Sequence, residues 1–206
     1  MADCCNDKAC EIEALRSRQS ATLKIVLGIN AVMFLVEMTA GIMAGSVSLL
    51  ADSLDMLGDA LVYGFSLYVV ARGTRMKAQA ALLKGGIMAA FGLFVLGQAV
   101  HKMFFPHVPG FETMGAIGAL ALAANGLCLA LLWRHRADDI NMSSVWLCSR
   151  NDIIANVSVL FAAFGVWLTD SAWPDVIVGL ALAGLFLKSA LYVVRLAGTE
   201  LRAASA

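Results

Sequence analysis

Three aspartates interrupt one of the most hydrophobic parts of the sequence, the stretch LLADSLDMLGDALVY (Leu49–Tyr63). Asp52, Asp55 and Asp59 are three, four and seven positions apart, a spacing that places side chains on one face of an α-helix. Asp55 lies ten residues past Gly45, about 15 Å along a helix and near the middle of a membrane. Burying a carboxylate at that depth costs about 2.5–3.5 kcal/mol. We therefore interpret the stripe as a cation-binding or proton-carrying feature.

A second polar group follows in SRNDIIANVSVLFAAFGVW, where Asp152 and Asn156 are four residues apart on one helical face. Two helices that each offer oxygen atoms at positions i and i+4 can build a cage of four ligands, which suits a divalent cation. The predicted metal ligands are Asp55, Asp59, Asp152 and Asn156. For Asn156 a role as a hydrogen-bonding residue between helices is an equally good interpretation.

Asn30 and Glu37 are seven residues apart in the preceding apolar stretch, and therefore on one face. One interpretation is that Glu37 pairs with a base or is protonated. The other, which we favour, is that Glu37 carries protons beside the aspartate stripe. We expect Asp52, Glu37 and Asn30 to support the metal ligands or to couple protons to them.

Cysteines form a weaker signal. Cys4, Cys5 and Cys10 gather thiophilic metal at the mouth of the site, or are incidental residues of a mobile tail. Cys148 precedes Asp152 by one helical turn, so it lines a metal access path or is a small packing residue. Five cysteines without a regular framework indicate reduced thiols rather than disulfides.

The elements that position these residues follow from the composition. The chain has 206 residues, of which 60% are hydrophobic and 15% charged, which indicates a polytopic membrane protein. Its net charge of zero argues against a nucleic-acid partner. Six apolar runs are long enough to cross a bilayer as helices: Thr22–Ala44, Ser46–Ala71, Gln79–Met103, Gly110–Trp133, Ser144–Thr169 and Pro174–Leu196. Gly45 marks a tight turn between the first two, with Ser46 or Ser48 as helix cap.

Lysine and arginine predict the orientation. Of the 15 basic residues, only Lys102 falls on the side opposite the termini, so the positive-inside rule places both termini in the cytoplasm. The predicted fold is an all-α integral membrane protein with a cytoplasmic tail (1–21), a six-helix transport domain (22–196) and a short C-terminal tail (197–206). The small residues of KGGIMAAFGLF in the third run permit close helix contact, either in a dimer or within one subunit.

The chain resembles a known family in four of these runs. The segment NAVMFLVEMTAGIMAGSVSLLADSLDMLGDAL (Asn30–Leu61) is similar to the first two helices of the cation diffusion facilitators. NDIIANVSVL is similar to their fifth helix and WPDVIVGLALAGLFLKSALYVV to their sixth. The resemblance implies a six-helix, proton-coupled exporter of divalent transition metals, usually a homodimer, in the bacterial inner membrane. Carried over position by position, it assigns the transport site to Asp55, Asp59, Asp152 and Asn156.

Three departures from the family pattern bear on these expectations. The fifth helix has Asp152 and Asn156 where His or Asp and then Asp are common, which removes one charge. The sequence ends about ten residues past the sixth run, so we expect no cytoplasmic metal-binding domain. No His-rich segment lies between the fourth and fifth runs. The residues between them are RHRADDINMSS.

We predict a cation/proton antiporter that exports Zn²⁺, with Fe²⁺, Co²⁺, Mn²⁺ and Cd²⁺ as other candidate substrates. The alternative is a membrane metal sensor or partner subunit that does not transport. We expect no enzymatic activity and no catalytic cofactor; the metal and the proton are the substrates. The expected partners are the lipid bilayer and a second copy of the chain, associated through the membrane helices.

Overall fold

The computed structural model describes the backbone of residues 3–69, 74–133 and 140–203, and the side chains mainly within 21–61, 85–133 and 152–192. Every element in these ranges is an α-helix, in agreement with the predicted fold class. The six helices are α1 (Asp3–Ala44), α2 (Val47–Val69), α3 (Thr74–Phe104), α4 (Phe111–Trp133), α5 (Ile140–Thr169) and α6 (Trp173–Ala203).

Within the described residues, five helices are long and apolar enough to cross a membrane. The apolar segments are Ala21–Ala44, Gly85–Phe104, Phe111–Trp133, Asp152–Thr169 and Trp173–Tyr192. The sixth helix, α2, has the length of a membrane span at 23 residues and carries Asp52, Asp55 and Asp59.

The N-terminal segment that we predicted to be a tail belongs to α1, which begins at Asp3 and continues without a break to Ala44. Glu, Ala, Leu and Arg dominate CEIEALRSRQ, and these residues have high helix propensity. The side chains of Cys4, Cys5, Cys10 and Cys148 lie outside the described residues.

A tight turn joins α1 to α2, as predicted. Gly45 adopts a left-handed backbone with φ 62°, which glycine tolerates because it has no Cβ. The Gly45 and Ser46 amides donate to the carbonyls of Ile42 and Gly41, which closes the end of α1. The Ser46 hydroxyl then accepts a hydrogen bond from the Leu49 amide at 3.1 Å, which confirms Ser46 as the cap of α2.

One end of the bundle, which we call the turn end, collects the ends of α1, α3 and α5 and the starts of α2, α4 and α6. The Gly110 amide donates to the Ala44 carbonyl at 3.2 Å, and Lys102 of α3 contacts Asp175 of α6. The helices therefore alternate in direction, and the two ends of the described chain lie away from the turn end.

The helices pack chiefly in three pairs, α1 with α2, α3 with α6 and α4 with α5. The small residues of α3 serve the second pair: a Cβ on Gly85 would lie 2.7 Å from Val194 Cγ2. Packing within the subunit therefore explains part of the small-residue run. Large apolar side chains such as Leu35, Phe161 and Ile177 are exposed on the outside, as expected for helices that face lipid.

Candidate metal centre

One fully buried polar group in the bundle joins three helices. Asn156 of α5 donates through Nδ2 to Asp52 Oδ2 of α2 at 2.8 Å. Its Oδ1 accepts a hydrogen bond from Asn125 Nδ2 of α4, also at 2.8 Å. All three side chains are at most 1% exposed. Asn156 thus has the interhelical hydrogen bonds of our alternative interpretation, and its carbonyl oxygen keeps a second lone pair for a further ligand.

Glu37 of α1 completes this group, which we call the deep cluster: Glu37, Asp52, Asn125 and Asn156. Glu37 is fully buried, and it lies close enough to Asp52 and Asp55 for their charges to interact. Among the described residues, the buried side-chain oxygen and nitrogen atoms without a hydrogen-bond partner are both carboxyl oxygens of Glu37 and Oδ1 of Asp52. The possibility that Glu37 pairs with a base is therefore wrong within the described part of the chain.

Asp55 and Asp152 meet at the side of the deep cluster. Their side chains are hydrogen-bonded to each other, and both line a cavity of about 610 Å³. The rest of the lining comes from α5 and α6, including Ala155, Lys188 and Tyr192. The structure thus brings together one predicted ligand from α2 and one from α5, at a place that is open to small solutes. We call this pair the cavity carboxylates.

The other predicted ligands lie near this pair without closing a cage. Asp59 is partly exposed on the same face of α2 and is close enough to Asp55 for repulsion between their charges. Asn156 is directed at Asp52 and Asn125. Within the described ranges, no three His, Cys, Asp or Glu side chains converge on a point that would hold a metal ion.

Asn30, the remaining predicted site residue, is buried in α1, and its side-chain amide donates a hydrogen bond to the Val26 carbonyl at 2.9 Å. A weaker contact of 3.9 Å joins the same amide to Cys128 Sγ of α4. The weaker contact therefore joins α1 to α4, and neither contact is made with the carboxylates.

A second polar group lies at the turn end and is saturated with hydrogen bonds. The Asp175 carboxylate accepts from the hydroxyl of Ser46 at 2.7 Å, from the hydroxyl and amide of Ser48 at 2.6 and 3.0 Å, and from the Val47 amide at 2.8 Å. Lys102 Nζ adds an ion pair at 2.9 Å and also donates to the Gly45 carbonyl. We call these residues the turn-end cluster. Its carboxylate caps the positive N-terminus of α2 from a different helix.

Sequence reasoning missed Asn125 and Asp175. Asn125 had a usable signal, since a lone amide within the apolar run ALALAANGLCLALL requires a partner inside the bundle. Asp175 had a weaker one, an acid in the first turn of a helix, which is usually satisfied by its own helix. Its actual partners are 73 to 129 positions away in the chain, and sequence patterns do not reveal contacts at that distance.

Comparisons with known proteins identify a family for the chain. The cation efflux transmembrane domain matches residues 23–201. The zinc transporter ZitB of Yersinia pestis is 27% identical over 184 residues, covering 83% of this chain and 59% of that protein. The metal cation efflux system protein CzcD of Cupriavidus metallidurans is 24% identical over 193 residues, covering 84% of this chain and 60% of that protein.

A third relative is the cadmium, cobalt and zinc/H(+)-K(+) antiporter of Bacillus velezensis, 23% identical over 178 residues, with 78% of this chain and 56% of that protein covered. The chain thus spans about three fifths of the length of the curated relatives it matches.

Proposed function

Because the chain belongs to the cation efflux family, the cation diffusion facilitators that its helix motifs resemble, we propose that it exports a divalent transition metal from the cytoplasm in exchange for protons. It is a multi-pass protein of a bacterial inner membrane, and its family consists of transporters. The finer statements, which concern the metal, the coupling ion and the residues, are our proposals.

The observation that carries the proposal is a pair of buried carboxyl groups that are short of hydrogen-bond donors: among the described residues Glu37 has none and Asp52 has one. Within the described residues, Glu37 and Asp52 together leave three oxygen atoms without partners. Carboxyl groups buried in this way need a proton or a metal ion to offset their charge. Carboxyl groups that must always be neutralised, either by a proton or by a metal ion bound beside them, couple the two ions, as metal/proton antiport requires.

In the proposed mechanism the ion enters the cavity and binds Asp55 and Asp152 first. Asp59 from α2 and the free lone pair of Asn156 from α5 then complete the cage, so metal binding draws α2 and α5 together. Protons that arrive from the other side of the membrane neutralise the carboxylates and release the ion. Asp52 and Glu37 hold protons beside the cage, and a relative movement of α2 and α5 exposes the site to either side in turn.

The conformation described corresponds to a site that faces the end of the bundle away from the turn end. The turn end is closed by the turn-end cluster, whereas Lys188 and Tyr192 of the cavity lie 15 and 19 residues beyond the start of α6 at Trp173. At 1.5 Å per residue these positions are about 22 and 28 Å from the turn end. With both termini in the cytoplasm, as the basic residues predict, the cavity opens inward.

We propose six membrane crossings with both termini cytoplasmic. Tags placed after Ala2 and Ala206 should be inaccessible to an impermeant reagent in intact cells and should react after the cells are permeabilised. Labelling of either tag from outside contradicts this topology.

Zn²⁺ is the proposed principal substrate, since two of the relatives above are named for zinc. Oxygen ligands without histidine are also compatible with Fe²⁺, Co²⁺, Mn²⁺ and Cd²⁺, and competition of each ion with Zn²⁺ for transport would rank them.

We propose that the chain acts as a homodimer through its membrane helices, which cross-linking in membranes would test.

The decisive experiment reconstitutes the purified chain in proteoliposomes and follows Zn²⁺ uptake and internal pH together. The expected result is proton movement opposite to Zn²⁺ that begins when Zn²⁺ is added. Asp55→Asn should abolish both fluxes because it removes a charged ligand and leaves the side-chain volume nearly unchanged.

Asp170→Asn is the matched control, since Asp170 is an exposed acid at the turn end, outside the cavity. It should transport as the wild type does. Zn²⁺ binding without flux in the wild-type chain would refute transport and favour the metal-sensor alternative. Equal activity of Asp55→Asn and Asp170→Asn would refute the assigned site.

A further inference from the structure

Asn125 is a lone amide in the middle of α4, a helix that is otherwise apolar between Met114 and Trp133. It is 1% exposed, and a buried amide in a membrane helix is costly unless it is hydrogen-bonded. Its Nδ2 donates to Asn156 Oδ1 at 2.8 Å. The contact therefore reaches a predicted metal ligand from a helix that supplies no ligand itself.

The hydrogen bonds run in one direction through three helices. Asn125 donates to Asn156, and Asn156 donates to the Asp52 carboxylate. A free asparagine side chain turns easily about its last torsion angle and exchanges the places of its oxygen and nitrogen. Here a donor on one side and an acceptor on the other remove that freedom. The Asn156 oxygen must face α4, and its NH₂ group must face Asp52.

This orientation determines what Asn156 offers to an ion. An amide oxygen has two lone pairs, so one can accept from Asn125 while the other binds a cation. Groups that hold a metal ligand in place by a hydrogen bond affect metal affinity although they do not touch the metal. Without Asn125, the Asp52 carboxylate alone holds the Asn156 side chain, which then turns more easily to present its NH₂ group, and that group repels a cation.

We propose that Asn125 is a positioning residue of the transport site: it fixes the Asn156 carbonyl oxygen in the orientation that binds the metal, and so sets the metal affinity. This inference rests on the proposed function, because it assumes that Asn156 is a ligand of the transported ion. It adds α4 to the helices that determine the chemistry of the site.

A purely structural role is the competing explanation, since α4 packs closely on α5 and a hydrogen bond between them stabilises that contact. The two roles differ in what they predict. A structural contact changes the stability of the bundle and leaves metal affinity alone. A positioning contact changes metal affinity, and does so only while Asn156 is present to be positioned.

A double-mutant cycle with Asn125→Leu and Asn156→Leu separates these roles. Leucine keeps the branched shape and the number of heavy atoms of each side chain and removes its polar atoms. Zn²⁺ affinity is measured by calorimetry on the purified full chain in detergent, and stability by thermal unfolding without metal. Asn125→Leu should weaken Zn²⁺ binding about 10- to 100-fold, the range known for groups that support metal ligands. In the Asn156→Leu background, the same substitution should change the affinity less than about twofold.

Cys128→Ala is the matched control, because Cys128 lies one turn further along α4, is buried to the same degree and contacts Asn30 rather than Asn156. It should leave the affinity unchanged in both backgrounds. If Asn125→Leu does not fold, Asn125→Ala replaces it, since alanine is well tolerated in packed membrane helices.

Two results would overturn the inference: wild-type affinity in the Asn125 variant, or the same loss of affinity with and without Asn156. Either can occur while the wild-type chain still binds and transports Zn²⁺, in which case the proposed function stands and only the role of Asn125 falls. A wild-type chain that binds no divalent metal refutes the proposed function, and this inference with it.

Discussion

The deep cluster and the turn-end cluster both bury a carboxylate between helices, yet they treat it in opposite ways. At the turn end, the Asp175 carboxylate accepts hydrogen bonds from two hydroxyls, two backbone amides and the Lys102 ammonium. In the deep cluster, among the described residues, Asp52 accepts a single hydrogen bond, from the Asn156 amide, and Glu37 accepts none. Both Asp175 and Asp52 are fully buried, so the difference lies in the supply of donors and not in exposure.

This difference separates a structural charge from a functional one. A buried carboxylate with all its hydrogen bonds satisfied has no need of a further ligand and holds its surroundings in one arrangement. A carboxyl group with unsatisfied oxygens stays in a membrane protein only if something else binds there part of the time. We therefore expect substitutions at the turn end to reduce stability, and substitutions in the deep cluster and at the cavity carboxylates to affect ion handling.

The largest effect on stability should come from Asp175→Asn. It removes the charge that faces Lys102 and weakens the cap of α2, and breaking a buried ion pair in this way costs about 3 kcal/mol. Denaturant unfolding in detergent measures the loss. The same substitution at exposed Asp170 should change stability very little. Equal stabilities of the two variants would remove the distinction between the clusters.

Glu37→Gln should change stability by less than about 1 kcal/mol, because Glu37 holds a proton in the proposed mechanism and glutamine is a neutral side chain of nearly the same volume. Proton movement in proteoliposomes should largely disappear, since an amide cannot carry a proton near neutral pH. Zn²⁺ binding should remain. Unchanged proton coupling in this variant would show that Glu37 is not part of the proton path.

Asn156→Asp adds a charge to the cluster that is short of donors. It should tighten Zn²⁺ binding by about tenfold, because a further carboxylate strengthens a site for divalent cations. The affinity should also rise more steeply with pH, since Zn²⁺ must displace one more proton at low pH. Without metal, the variant should be less stable, because Asp52 loses its donor and gains a neighbouring charge. Calorimetry at two pH values tests this; no change in affinity or slope would place Asn156 outside the ligand set.

The smallest effect should come from residues outside both clusters. Replacing Cys4, Cys5 and Cys10 by serine should raise the half-saturating Zn²⁺ concentration by about threefold if the three thiols raise the local metal concentration. The maximal transport rate should be unchanged. Complete loss of transport at saturating Zn²⁺ would instead place a ligand of the core site in the N-terminal segment.

Much of the fold could be predicted because lipid imposes simple rules on a sequence. The lengths of the apolar runs gave six helices, all of which appear, and Gly45 and Ser46 marked the turn between the first two. The predicted boundary between the N-terminal tail and the first span, at residue 21, did not locate the start of α1. A change from polar to apolar residues marks a membrane surface and not the end of a helix. α1 therefore extends to Asp3.

The candidate site was predictable in part. Carboxylates in apolar helices are conspicuous, so Asp52, Asp55, Asp59, Asp152 and Glu37 could be identified without coordinates. Helical periodicity places Asp52, Asp55 and Asp59 on one stripe but does not show which neighbour each one meets. In the structure the aspartates of the stripe have different partners. Asp52 accepts a hydrogen bond from Asn156, whereas Asp55 is hydrogen-bonded to Asp152 beside the cavity.

The sequence by itself determined which helices form and which of them carry charges that lipid cannot accommodate, because both follow from local composition and the thickness of a bilayer. Only the tertiary structure decided which of those charges are satisfied. Hydrogen-bond donors act over about 3 Å, and the donors to Asp175 and Asp52 come from helices distant in the chain, brought within that distance by packing. Asp175 and Asp52 are both aspartates buried among apolar helices, and within the described part of the chain the packing of the helices supplies five hydrogen-bond donors to Asp175 and a single donor to Asp52.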